Sequence, residues 1–273
     1  MQKFLNGLLT PRWEKGLRAL PALTVVMPPV VKTADGSTIP KWHILLRNMD
    51  WQGSSQDGQR VLHPDTLLTT RDKPTWSCDI TDIECFTASK STLAVFPDMK
   101  AFSMSLWTDS LTPTLENLNQ QLRHNEIRCL KPQTGSDSFV KYGWDKRLVL
   151  CNSGGSHHLA AAIHVANALK VHIAAYGNLQ EVNIEPQKVR SLGEHYHMRQ
   201  FPSALSLELR AALDAAKIPW EMLHGSNHFL HASEMTNWSV LLIPKRHKHA
   251  DTISQILAGK GAPDFYAFLM SLV

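Results

Sequence analysis

Hydrophobic and polar positions along this chain change character near Asp109. Beyond it the pattern is sharp. In TLENLNQQLRHN, Leu115, Leu118 and Leu122 recur at helical spacing, Pro113 suits a first turn, and Thr112 is placed to cap it. A strand-like IRCLKPQ follows, then the polar turn TGSDS and the strand KRLVLCN. The glycine-rich stretch from Asn152 to Ser156 leads into the helix LAAAIHVANAL and the strand KVHIAAYG. Past Glu185-Pro186, ALSLELRAALDAAK puts Leu205, Leu209, Ala212 and Leu213 on one face and stops at Pro219. SVLLIPK reads as a strand, and HADTISQILAG and PDFYAFLMSLV as closing helices separated by Gly259 and Gly261.

The first part of the chain is less regular. Residues 1–20 read as an amphipathic helix, LTVVM as a first strand, and ADGS and QGSSQDGQ as turns around the strand candidate WHILL. SCDITDIECF alternates weakly, and STLAVF and AFSMSLW are two further strand candidates. The mixed order predicts an α/β (mixed α+β) fold in one domain. Its parts are a strand- and loop-rich 1–108, a core at 109–184 and a helical elaboration at 185–273.

Composition supports a globular protein, with 43% hydrophobic residues among 273. No run approaches the ~20 apolar residues of a membrane span, and the charges scattered through MQKFLNGLLTPRWEKGLRAL argue against a signal peptide. A cytoplasmic protein with no membrane partner is the expectation. Cys78, Cys85, Cys129 and Cys151 lack the paired spacing of a structural zinc site, which leaves reduced thiols. The formal charge of +4, with 14 histidines outside that count, suits phosphate-bearing partners without demanding them.

The candidate chemistry lies in CNSGGSHH, residues 151–158. A helix N-terminus carries unpaired N–H groups and the positive end of the helix dipole, so a glycine turn feeding it makes an anion site. Ser153, Gly154, Gly155 and Ser156 are the expected phosphate cradle, with Lys146 and Arg147 adding fixed charge. His157 and His158 project beside it as candidate acid/base groups, Asn152 is placed to orient substrate or water, and Asp145 is a candidate carboxylate.

The order of these elements, with Gly155-Ser156-His157-His158 after the strand, resembles the core of the ParB/sulfiredoxin-like superfamily over residues 109–184. There a G-x-H-R or G-E-R-R box at a helix N-terminus grips phosphates of a nucleotide or of DNA. The resemblance implies the same role for this turn. It departs at His158, where the family carries Arg, so part of the charge becomes pH-dependent. No helix-turn-helix of the partition type follows, which argues against chromosome partition.

Other clusters compete. Glu194-His195-Tyr196-His197 has the makings of a metal or acid/base site. His224, His228 and His231 recur at helical spacing, but among poor helix formers and without an intervening acid. No metal and no cofactor are expected. Trp144 and Trp107 lie in loops where an indole would stack on a flipped base. The run PKRHKH, residues 244–249, is the densest basic patch, a solvated surface or a phosphate contact.

The expected partner is DNA, and the expected function a hydrolase, most concretely a DNA glycosylase acting on foreign or modified DNA. The defence setting is drawn only from the superfamily's company. Metal-independent strand cleavage is the close alternative, because no D-x-D or E-x-K carboxylate cluster is present. An ATP- or CTP-binding switch and a non-catalytic DNA-binding module are the remaining classes, separable by nucleotide binding and by binding without product.

Overall fold

The computed structural model describes residues 10–25, 34, 51–54, 67–106, 108–132, 137–224 and 238–273. They have a mixed α/β fold and form two compact units, 1–28 with 41–68 and 184–273, and 29–40 with 69–183. No helix among the described residues is long and apolar enough to cross a membrane.

The unit at 69–183 is built on five strands. They are β2 (Leu68–Asp79), β3 (Cys85–Phe86), β4 (Ser138–Tyr142), β5 (Leu148–Cys151) and β6 (Ala174–Ile184), in the order β2-β6-β4-β5-β3. β5 runs antiparallel to β4, with Val140 opposite Val149, and parallel to β3, with Cys85 opposite Val149. β4 and β6 are parallel, with Phe139 opposite Leu179. The helices are α2 (Met99–Met104), α3 (Leu115–Leu122) and α4 (Ser156–Leu169), and both α2 and α3 pack on α4. Small residues on α4 bring these partners close: Ala160, Ala161, Ala162 and Ala166 are buried with Leu159, Ile163 and Val165. Phe86, Phe102, Phe139 and Leu118 complete that core.

Several expectations change here. AFSMSLW is not a strand but α2: the Asp98 carboxylate accepts from the Ala101 N–H, and Met99, Phe102 and Ser103 are buried at helical spacing. STLAVF and IRCLKPQ give 3-10 turns at Leu93–Val95 and Arg128–Leu130. The α3 cap is Thr114, not Thr112. Asn117 donates to the carbonyls of Asp109, Ser110 and Thr112, which folds that stretch into its own turn and starts the helix later. β2 shows no alternation because it is an edge strand with mostly exposed residues, and it tolerates Pro74 for the same reason.

The other unit centres on an antiparallel sheet of β1 (Trp51–Ser54), β7 (Tyr196–Pro202), β8 (Trp220–His224) and β9 (Trp238–Pro244), in the order β1-β8-β9-β7. Every residue of β9 is buried, which explains the apolar run from Val240 to Pro244. Around the sheet lie α1 (Arg12–Ala19), α5 (Pro186–His195), α6 (Ser206–Ala215), α7 (Ala250–Gly259) and α8 (Phe265–Met270). Leu17, Leu23, Phe201, Leu213, Met222, Leu241, Ile243 and Ile253 share its core. The C-terminal part therefore combines the expected helices with a sheet, in which the expected strand SVLLIPK is β9.

Candidate functional site

β5 delivers the glycine turn. Its Leu148, Val149 and Leu150 are buried between β3 and β4, and the chain then turns at Ser153-Gly154-Gly155 into α4. Gly155 has φ +73°, and a Cβ there would lie 3.0 Å from the Glu126 carbonyl carbon and oxygen. Glycine is thus required both by the left-handed backbone and by the close approach of another segment.

Pairing of β3 beside β5 brings residues 87–91 against this turn: the Thr87 N–H donates to the Leu150 carbonyl at 3.1 Å. Asn152 ties the two segments together. Its Nδ2 donates to the carbonyls of Ala88 (2.9 Å) and Gly154 (3.0 Å), and its Oδ1 accepts from the Ala88 N–H (3.1 Å). Ser156 Oγ donates to Ser89 Oγ at 2.9 Å, and Ser91 Oγ lies 2.8 Å from His157 Nε2.

The segment after α3 closes the third side. Together the three segments line a cleft of about 560 Å³ that includes Ser89, Lys90, His124, Glu126, His157 and His158. The Glu126 carboxylate accepts from the Gly155 N–H at 3.1 Å, so the positive helix end is met by the chain's own anion. Arg128 Nη1 donates to Ser153 Oγ. Gln121 Oε1 sits 2.8 Å from His158 Nδ1, and because the Gln121 amide nitrogen donates to Asn117 Oδ1, its oxygen is the acceptor. His158 therefore carries a proton on Nδ1 and offers Nε2 as a base.

Burial, then the Lys90 ammonium, lowers the pKa of His157 below the ordinary imidazole value. Burial also lowers His158, reinforced by His124 and His157 and opposed by Glu126. The His124 ring stacks on His158 with centroids 3.9 Å apart, a neighbour that disfavours a second positive charge. Both α4 histidines are thus kept neutral near pH 7, the form in which imidazole accepts a proton.

The structure brings Ser153, Gly154, Gly155, Ser156, His157 and His158 together as expected. Asn152 is a correction: buried, with its amide engaged on backbone groups, it holds the turn's shape and does not line the cleft. Asp145, Lys146, Arg147 and Trp144 are corrections too. They precede β5 while the glycine turn follows it, so the strand separates them from the site. Asp145 and Arg147 form a bidentate ion pair with side chains only 2% and 4% exposed, Lys146 is exposed, and Trp144 stacks on Tyr142. Trp107, His228 and His231 lie outside the described residues, and His224 ends β8.

His195 and His197 do not converge: His195 Nδ1 donates to the Ser191 carbonyl at 2.8 Å, and His197 Nε2 meets Asp251 Oδ1 at 2.7 Å. Among the described residues no group of three or more His, Cys, Asp or Glu is placed to hold a metal ion. The residues missed from sequence are Ser89, Lys90, Ser91, Gln121, His124, Glu126 and Arg128. The small, polar Ser89-Lys90-Ser91 and the polar exit of the leucine helix were the available signals.

A serine hydroxyl hydrogen-bonded to a neutral imidazole, beside a helix N-terminus and a lysine, is equipped to activate a nucleophile next to a developing negative charge. Comparison with curated proteins and with solved structures gives no match. A family described as "Family of unknown function (DUF6685)" matches residues 73–273, a span that contains every residue of the cleft. The chain belongs to the DUF6685 family.

Proposed function

We propose that the protein is a hydrolase of phosphodiester bonds that needs no metal, with DNA as its substrate. The observation that carries this reading is the 2.8 Å pairing of Ser91 Oγ with His157 Nε2 at the N-terminal end of α4. His157 takes the Ser91 proton as Oγ bonds to phosphorus. The bond from phosphorus to the departing sugar oxygen breaks, and that oxygen receives the proton from His157. Water, deprotonated by the same imidazole, then cleaves the phosphoserine and restores Ser91. Lys90 and the α4 N-terminal N–H groups balance the phosphoryl oxygens, with Glu126 displaced from Gly155. The choice of DNA draws support from the net positive charge and from the phosphate-gripping role that the sequence resemblance implies.

Glu126 favours a second reading. A carboxylate within the cleft is the group that would position water or stabilise an oxocarbenium-like sugar, so N-glycosidic cleavage, giving an abasic site, stays in view. One experiment separates the two. Purified protein is incubated with DNA in the presence of EDTA and scored for nicks directly and for abasic sites after alkali. Nicks lost in Ser91→Ala and His157→Asn support phosphodiester cleavage. Alkali-dependent breaks lost in Glu126→Gln but kept in Ser91→Ala support base removal, and neither product on any DNA overturns both.

A further inference from the structure

The basic run singled out in the sequence forms a defined surface in the unit that contains β9. Pro244 and Ala250 are both buried and anchor the turn at its ends. Between them the His247 N–H donates to the Pro244 carbonyl (3.0 Å), the His249 N–H to His247 Nδ1 (3.3 Å) and the Ala250 N–H to the His247 carbonyl (2.9 Å). Lys245 Nζ is tied to the Gly193 carbonyl, whereas Arg246 and Lys248 are exposed. The Trp13 ring on α1 lies against His249 with centroids 5.0 Å apart, and His249 lies 5.6 Å from His247.

We infer that Arg246, His247, Lys248 and His249, with Trp13 beside them, form a docking surface for the phosphate backbone of DNA. Its choice of partner rests on the DNA reading given above. The turn concentrates positive charge on a rigid bend. Its nearest carboxylate along the chain, Asp251, is engaged with His197. Burial, and after it the neighbouring His249 and Lys248, hold His247 below its ordinary pKa. A polyanion laid on this bend relieves that crowding. A lipid surface is the poorer match, because interfacial sites set apolar side chains among the cations. In this unit the large exposed apolar side chains among the described residues are Leu207 and Val273, neither of them in the run.

The test is fluorescence anisotropy of a labelled DNA duplex titrated with full-length protein at several salt concentrations, in a Ser91→Ala background so that bound DNA stays intact. Each phosphate neutralised contributes about −0.9 to the slope of log K against log salt, so R246A/K248A should make the slope shallower by about 2. R246K/K248R should keep it, and unchanged circular dichroism certifies the fold of both variants. An unchanged slope in R246A/K248A, no DNA binding by the parent, or binding of phosphatidylserine vesicles in its place overturns the inference. The two readings fail separately: salt-dependent binding with no product from the parent protein rejects only the hydrolase, whereas product with an unchanged slope rejects only this surface.

Discussion

Glu126 Oε2 accepts a hydrogen bond from the Gly155 N–H at 3.1 Å, so the helix end that would receive a phosphate is already met by a carboxylate of the same chain. An incoming anion must compete with it. A charge at a helix end is worth about 0.3–1 kcal/mol, so Glu126→Gln should bind inorganic phosphate about two- to fivefold more tightly and lose a similar increment of stability. Isothermal titration and thermal melts check both. Equal or weaker phosphate binding would show that the carboxylate does not guard this end.

Ser91→Ala or His157→Asn should each lower turnover by about 10²–10⁴-fold, the range for loss of a positioned acid/base partner. Binding of the labelled duplex should change little. A variant that retains full turnover removes the pair from the chemistry.

The pH profile follows from the lowered His157. As a base it works in its neutral form, and its pKa lies below 6.5 because of burial and Lys90. Turnover should therefore hold at neutral pH and fall on an acidic limb below about 6.5. Removing the Lys90 charge relieves the repulsion on the imidazolium, so Lys90→Ala should move that limb upward, toward the ordinary imidazole value. Stability shares the sign. His157 and His158 are neutral in the fold and titrate more readily unfolded, so their contribution is present above the unfolded value and is lost as pH falls through the folded ones.

Gly155→Ala places a methyl group on a left-handed backbone and 3.0 Å from the Glu126 backbone. The conformational cost alone is about 1–2 kcal/mol, and the steric contact adds to it. At Gly154 the nearest atom is Glu126 Oε2, a side-chain terminus 2.9 Å away that can give more readily than backbone, so Gly154→Ala should cost less in urea melts while breaking the Glu126 contact.

The contrast between these two positions marks how far the sequence could be read. CNSGGSHHLAAAIH announces a strand, a turn and a helix, because glycine and alanine act locally, and its residues 153–158 are ones the fold brings to the cleft. Ser91 and Glu126 sit in short polar stretches that do not say where they go: they reach the turn through the pairing of β3 with β5 and through the exit of α3. Asp145, Lys146 and Arg147 erred in the opposite way, close to the glycines in sequence yet set apart by a strand that must run its length between them. AFSMSLW looked like a strand because its apolar residues are dense. The Asp98 cap, one residue before Met99, decided for a helix.

Arg147 now has a structural role to be tested. Its guanidinium neutralises Asp145 where both side chains are almost wholly removed from water. Arg147→Ala would strand a buried carboxylate, and breaking such a pair costs about 3–5 kcal/mol. Turnover per folded molecule should be unchanged, which distinguishes this role from phosphate binding. A specific loss of turnover without destabilisation would restore Arg147 to the site.

The N-terminal segment has a consequence for how the chain is made. Leu17 and Leu23 are packed with Ile253 and Ala262, the Leu23 N–H donates to the Lys260 carbonyl at 2.8 Å, and Lys260 Nζ donates to the Leu20 carbonyl at 2.6 Å. During synthesis Leu17 and Leu23 emerge well before their partners near residue 260. The unit ending at Asn183 has all its own strands by then, except the last residue of β6. Ribosome-bound chains arrested once β6 has cleared the exit tunnel, but before residue 260 is made, should therefore protect β4 and β5 from proteolysis while the segment around Leu17 stays open to cleavage, a division of labour in time that the finished fold conceals.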